Sequence, residues 1–299
     1  MNYLLGLNSE YIENRIDDRL AGVGMIRSEY ICRKIGKYFT EPSCLDYVAN
    51  YIMHVCDIFS GSDVWYRTSD FIVQEVNTLV GADHVLYEHD YILGLRGVRR
   101  GLKYVSPFMD ELKTVSQVSL TKCNLNLLFS YIKDTKELEQ CLRLLEKSNF
   151  QNKFGIMAEI PSTIICLEDF LRLGVSNVTV GINDLTTLLL GAYRTSEYYN
   201  CNHIAVYKAI EKIVNVCMKY KIPVSVGGVV NKEMLAFCQS IGVDNFIINY
   251  PLLPDILNID PSDLEFLGEM EAIKKDTKSK RNKLEYQRME TILKRNGFI

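Results

Sequence analysis

The sequence predicts an α/β fold, a (β/α)8 TIM barrel with extra helices, and three observations carry that expectation. Short β-like runs alternate with helical ones over most of the 299 residues. Repeated alternation of this sort means a parallel sheet, and about eight units, seven visible and one obscured, suit a closed barrel better than an open sheet. Polar and charged residues stand at the ends of the β-like runs, where a barrel gathers its chemistry on one face.

The visible runs are AGVGMI (21–26), DVWYRTS (63–69), NLNLLFSYI (124–132), FGIMAEI (154–160), NVTVGI (177–182), PVSVGG (223–228) and NFIINY (245–250). Each is short, apolar and rich in β-branched or aromatic residues. Residues 31–60 read as helices outside the barrel. DTKELEQCLRLLEKS carries apolar residues at helical spacing and opens on Asp134 or Thr135, with Glu137 following as in a capping box. LEDFLRLG ends on Gly174 and NKEMLAFCQSIG on Gly242, where a helix-terminating glycine belongs, and HIAVYKAIEKIVNVCMKYK stops before Pro223. The expected division is 1–265 for the barrel with its N-terminal helices and 266–299 for a charged helix and tail, read as a solvated face.

With 47% hydrophobic and 24% charged residues and a formal net charge of -3, the chain reads as a globular protein, with nothing favouring nucleic acid or an anionic membrane. No run is long enough for a membrane helix and the start lacks a signal-peptide pattern, so a cytoplasmic location is expected. The nine cysteines include no C-x-x-C pair and read as reduced thiols.

Glu159 closes the run GIMAEIP and the Asn183-Asp184 pair closes TVGIND. Two carboxylates from neighbouring strand ends are a reasonable pair for Mg2+, which takes a few carboxylates and keeps water or ligand oxygens elsewhere. The alternative reading is that each caps the following helix, and spacing alone leaves both readings open. Arg27, Arg67, Arg96 and Arg194 stand in similar settings, and an arginine fork matches phosphate or carboxylate. Together they describe a site for a small, highly anionic ligand.

These segments carry a resemblance. The order VWYRTSDF, LGLRGVRR, GIMAEIPS, VGINDLTTLLLGAYR and PVSVGGVVN resembles the C-terminal, phosphoenolpyruvate (PEP)-binding barrel of the PEP-utilising family, which comprises PEP synthase, pyruvate phosphate dikinase and enzyme I of the sugar phosphotransferase system. RTSDFIVQEVNTLVGAD is most similar to PEP synthase, and GVGMIRSEYI resembles the family's G-x-G-L-x-R-x-E-F opening. The resemblance spans roughly residues 20–255. It implies that Glu159 and Asp184 hold Mg2+, that Arg27, Arg67, Arg96 and Arg194 bind phosphate and carboxylate, and that Asn183 contacts the substrate. For Arg99 and Arg100 a phosphate role and a surface role stand equally open. A homodimer is also implied.

The pattern breaks where the family reads S-I/V-C-G-E. Here Ser225-Val226-Gly227-Gly228-Val229 places Gly227 where the resemblance implies a cysteine acting on the methyl carbon of enolpyruvate. Loss of a positioned general acid typically costs about 100-fold to 10,000-fold. Ile72 stands for a family lysine, and Asp90-Tyr91 for an N-P pair. Cys238, Tyr250 and Cys166 are the substitutes within sequence range, Cys166 reading as core. Of the four histidines, 54, 84, 89 and 203, none has the context of the family's phosphohistidine carrier; His54 reads as structural.

Three functions remain in play. The leading one is a stand-alone PEP synthase-like protein that binds PEP or pyruvate with Mg2+ and exchanges phosphate with a phosphohistidine carrier or ATP-grasp partner supplied in trans. The others are a Mg-dependent enolate enzyme that makes or breaks carbon-carbon bonds, and a catalytically degenerate PEP sensor or complex subunit.

Overall fold

Eight parallel strands close into one barrel in the order β1-β2-β3-β4-β5-β6-β7-β8. They are β1 Asn2–Leu7, β2 Leu20–Arg27, β3 Val64–Arg67, β4 Leu125–Phe129, β5 Phe154–Ala158, β6 Val178–Gly181, β7 Val224–Gly227 and β8 Asn245–Asn249. The computed structural model describes residues 2–82, 93–228, 231–243, 245–260, 264 and 267–295, with backbone alone at 267–271, 288 and 292. The sequence readings at His84, His89, Asp90, Tyr91 and Val229 lie outside the described residues.

The strand missing from the sequence reading is β1, which pairs with both β2 and β8 and so closes the barrel. Residues 31–60 do form helices outside the sheet, Ser28–Ile35 and Pro42–Ile58, which make the crossover from β2 to β3. Asp134 caps the helix Thr135–Lys147 by accepting from the Glu137 amide at 2.9 Å. The helix Ile204–Tyr220 ends ahead of Pro223, which has no amide to continue it.

Strand side chains alternate between two environments. Outward residues such as Leu125, Leu127 and Phe129 join the large core between sheet and helices. Inward residues Met25, Trp65, Leu128, Met157 and Ile247 fill the barrel's middle layer. Below them lie buried polar groups, among them Asn126, Thr179 and Ser225. Because the middle layer is solid, the open chemistry is confined to the strand C-termini, as barrel geometry requires. Among the described residues, no helix is long and apolar enough to cross a membrane.

Candidate functional site

Five arginines and four carboxylates line a cleft of about 270 Å3 at that C-terminal mouth: Arg27, Arg33, Arg67, Arg96 and Arg194 with Glu29, Asp70, Glu75 and Asp184. Arg27 is the last residue of β2 and Arg67 the last of β3, both as the sequence suggests. Burying so many charges is tolerated only because they pair and hydrogen-bond. Arg67 meets Glu29, in the first turn of the helix Ser28–Ile35, and lies 3.6 Å from Asp70. Its Nε and the Oε2 of Glu29 are buried without hydrogen-bond partners. Each is a polar atom whose burial is uncompensated, and a bound group would relieve it.

Arg96 is the hub. Its Nε and Nη2 donate to the two Asp70 oxygens at 2.9 and 2.6 Å, while Nη1 and Nη2 reach the two Asp184 oxygens at 3.2 Å each. The guanidinium also lies 4.3 Å from the ring centre of Tyr131. Arg96 precedes the helix Gly97–Lys103, and Gly97, at φ +53°, passes so near β4 that an added Cβ would stand 2.5 Å from the Tyr131 Cβ. Only glycine permits that approach. Arg194 donates to Asp184 at 2.9 Å from the opposite side.

Glu159 and Asp184 do not sit within strands. Glu159 follows β5, and Asp184 is in the first turn of the helix Ile182–Leu190, which begins directly after β6. Asp184 makes no N-cap; its oxygens go to the two arginines. Glu159 is buried and accepts from the Tyr131 amide at 2.8 Å. Gly181 leaves it room, since a Cβ there would stand 2.5 Å from Glu159 Oε2. Burial, then the nearby charges of Asp184 and Asp70, push the Glu159 carboxyl up to about 8 against the pull of Arg67 and Arg96. Burial also works against the charged form of Asp184, but Arg96 and Arg194 outweigh it and hold that carboxyl below its ordinary value. One carboxylate is therefore neutralised by arginines and the other is an acid short of positive charge.

The remaining expected residues divide. Asn183 accepts from the Tyr199 hydroxyl at 3.1 Å and does not line the cleft. Arg99 donates to the carbonyls of Leu93 and Gly94, Arg100 lies against Tyr104, and neither lines the cleft. Ile72 lines it without charge. Cys166 is exposed in the turn between two short helices, not part of the core, while Cys238 and Tyr250 are buried; none of the three borders the cleft. His54 is structural, bonded to the Ile12 carbonyl at 2.6 Å and stacked on Tyr11. Gly227 faces the barrel interior opposite Gly181, and a Cβ there would meet nothing closer than 3.5 Å.

Sequence reasoning missed Glu29, Asp70, Arg33, Glu75 and Glu111. Asp70 stands inside the RTSDF motif and was open to notice there. Glu111 is buried on the helix Val105–Ser119 and accepts from the Tyr66 hydroxyl and from the amide and hydroxyl of Ser69, fixing the turn after β3. No local spacing signals it.

A closed parallel barrel with a buried arginine-carboxylate cluster at its mouth is the class of protein that fold and cleft define. The chain belongs to the family described as PEP-utilising enzyme, PEP-binding domain, whose model matches residues 7–258. A probable phosphoenolpyruvate synthase of Methanocaldococcus jannaschii is 29% identical over 223 residues, covering 69% of this chain and 19% of that protein. The phosphoenolpyruvate synthase of Pyrococcus furiosus is 27% identical over 246 residues, covering 76% of this chain and 30% of that protein. The chain thus spans between 19% and 30% of the length of these two relatives.

Proposed function

We propose that the cleft binds PEP or pyruvate together with Mg2+, and that the barrel serves phosphoryl transfer between that ligand and a phosphohistidine held outside the barrel. The observation that carries the reading is the buried arginine cluster, with Arg67 Nε lacking a partner at the cleft. Arginine forks recognise the planar carboxylate and the phosphate oxygens of such a ligand. Neither described histidine borders the cleft, which is why the phosphohistidine is assigned elsewhere: His54 bonds Ile12, and His203 caps the helix Ile204–Tyr220.

The donor set fits the metal. Among the described residues no three His, Cys, Asp or Glu side chains converge on a cation site. Mg2+ needs only one or two carboxylates beside water and ligand oxygens, and it answers the charge deficit at Glu159. Asp184, which lines the cleft, and Glu159, buried and outside that lining, would hold it. When bound, it supplies positive charge against which phosphate and enolate oxygens are stabilised. Arg67 and Arg96 hold the anionic ligand in register, their own orientations fixed by Glu29 and Asp70. Asn183 is assigned a supporting place beside Gly228, where an added Cβ would stand 3.1 Å from its Nδ2.

Gly227 donates no proton, so protonation of the methyl carbon falls to solvent and is slow. That favours a second reading, a PEP sensor that binds without turnover. Radiolabel decides between them. With 32P-labelled PEP, Mg2+ and a purified phosphohistidine carrier protein, label is expected on the carrier only when this chain is present. PEP binding with no transfer to any carrier leaves the sensor; no PEP binding removes both. The proposal includes a cytoplasmic homodimer, for which light scattering should return twice the 34.3 kDa chain mass.

A further inference from the structure

We propose that Arg33 is a second phosphate-binding arm of the cleft, and that the C-terminal helix Leu267–Arg295 sets it in place through Thr277. One part of the cleft is close to charge balance, because Arg67, Arg96 and Arg194 face Glu29, Asp70 and Asp184. The part lined by Arg27 and Arg33 is not. Arg27 and Arg33 both lie against the Tyr30 ring, at 5.0 and 4.7 Å from its centre. Arg27 donates to a neutral acceptor, Asn249 Oδ1, at 3.3 Å. The charge of Glu10 reaches Arg27 through space, but its oxygens are engaged by Asn8. Among the described residues Arg33 pairs with one carboxylate, Glu75, at 3.0 Å.

Two guanidiniums on one ring, with one paired carboxylate among the described residues, leave surplus positive charge in the cleft lining. A phosphate monoester, near −2 at neutral pH, matches it better than a lone carboxylate. Arg33 is also fixed in advance. Its Nε donates to Thr277 Oγ1 at 3.0 Å, and that hydroxyl in turn donates to the Ile273 carbonyl at 2.9 Å. The second bond consumes the hydroxyl proton, so the oxygen faces Arg33 as an acceptor only. Ordering a long side chain before the ligand arrives lowers the entropy lost on binding.

Thr277 and Ile273 are buried while most of their helix is exposed. The helix lies beyond residues 7–258, the part matched to the family. It touches the helices Ser28–Ile35 and Val73–Val76, which carry Arg33 and Glu75. This is a strip of specific docking inside a polar helix, in place of the wholly solvated face that its charges suggest.

The identity of the ligand rests on the function proposed above; the phosphate arm does not. The test titrates PEP, pyruvate and inorganic phosphate into the wild-type chain and into Arg33→Gln, Arg33→Lys and Thr277→Val, with thermal melts as a check on folding. Arg33→Gln should weaken PEP and phosphate about 10-fold to 100-fold, the range for a charged hydrogen-bonding group. Arg33→Lys should recover part of the loss, and the near-isosteric Thr277→Val should weaken both about threefold to tenfold. Pyruvate, which has no phosphate, should change less than about twofold. Unchanged PEP and phosphate binding in Arg33→Gln and Thr277→Val overturns the proposal, as does an equal loss for pyruvate. If the wild type ignores PEP, the proposed function falls and inorganic phosphate alone decides: phosphate weakened by Arg33→Gln sustains the arm, and absent or unaltered phosphate binding overturns it.

Discussion

Gly227 and Gly181 face one another across adjacent strands β7 and β6, one with room for a Cβ at ordinary contact distance and the other against a carboxylate. That contrast makes opposite predictions for two small substitutions. In Gly227→Cys the added Cβ finds its nearest neighbours, Met25, Ile247 and the Val180 carbonyl, at 3.5 to 3.8 Å, so the Cβ is accommodated without a clash. The variant should speed deuterium exchange at the pyruvate methyl in D2O, followed by NMR, by about 100-fold or more, the usual worth of a positioned acid or base. An exchange rate equal to wild type would remove Gly227 as the explanation for lost proton chemistry. Gly181→Ala, by contrast, drives a Cβ to 2.5 Å from Glu159 Oε2 and should abolish Mg2+-dependent ligand binding without unfolding the chain. Calorimetry showing intact Mg2+-dependent binding would separate Glu159 from the metal. At this scale the sequence made Arg27, Arg67 and Asp184 legible because each ends or follows a β-like run, and Arg96 and Arg194 through the segments LGLRGVRR and VGINDLTTLLLGAYR. Glu29, the partner of Arg67, Glu75, the partner of Arg33, and Glu111, which holds Tyr66 and Ser69, were not legible, since those contacts join segments up to 45 residues apart and leave no local pattern.

The helix Val105–Ser119 is tied to the mouth by one side chain, and that tie sets a pH dependence. Burial pushes the Glu111 carboxyl from 4.5 up to about 7, against the lowering effect of its bonds to Ser69 and Tyr66. A raised carboxyl means the folded state keeps a proton that the unfolded chain loses. Its stabilising contribution is complete below the unfolded value and fades as pH rises from 4.5 through about 7. Glu111→Gln, which keeps an acceptor for Ser69, should flatten that decline in melts between those limits; a wild-type slope in the variant would contradict the assignment. Element prediction succeeded wherever a run was followed by a helix. It failed at β1, because NYLLGL is followed by residues 8–19, which form no helix, so the alternation that flagged the other strands is absent. Asn183 and Asp184 were placed on a strand because VTVGI continues the apolar run into what is already the helix Ile182–Leu190. A short apolar run does not mark that change of period.

The whole molecule is a solid barrel that holds a charged cluster on its rim, and the rim depends on the packing beneath it. Leu128, fully buried in the inner layer, supports the mouth from β4. Leu128→Ala should cost about 2 to 5 kcal/mol by denaturant unfolding. A loss under about 1 kcal/mol would mean the interior collapses around the gap. The closed architecture was legible because strand-helix alternation is a property of the entire chain. The clasp between the C-terminal helix and Arg33 was not, because mixed charge on a helix looks the same whether one strip of it is buried or none. The central claim concerns the rim: a Mg2+-dependent site for a phosphorylated or unphosphorylated three-carbon acid. Calorimetric titration of PEP with and without Mg2+, on the wild type and on Asp184→Ala, tests it most directly. The account predicts saturable binding that requires Mg2+ and disappears in the variant; binding that is indifferent to both Mg2+ and Asp184, or no binding at all, would contradict it.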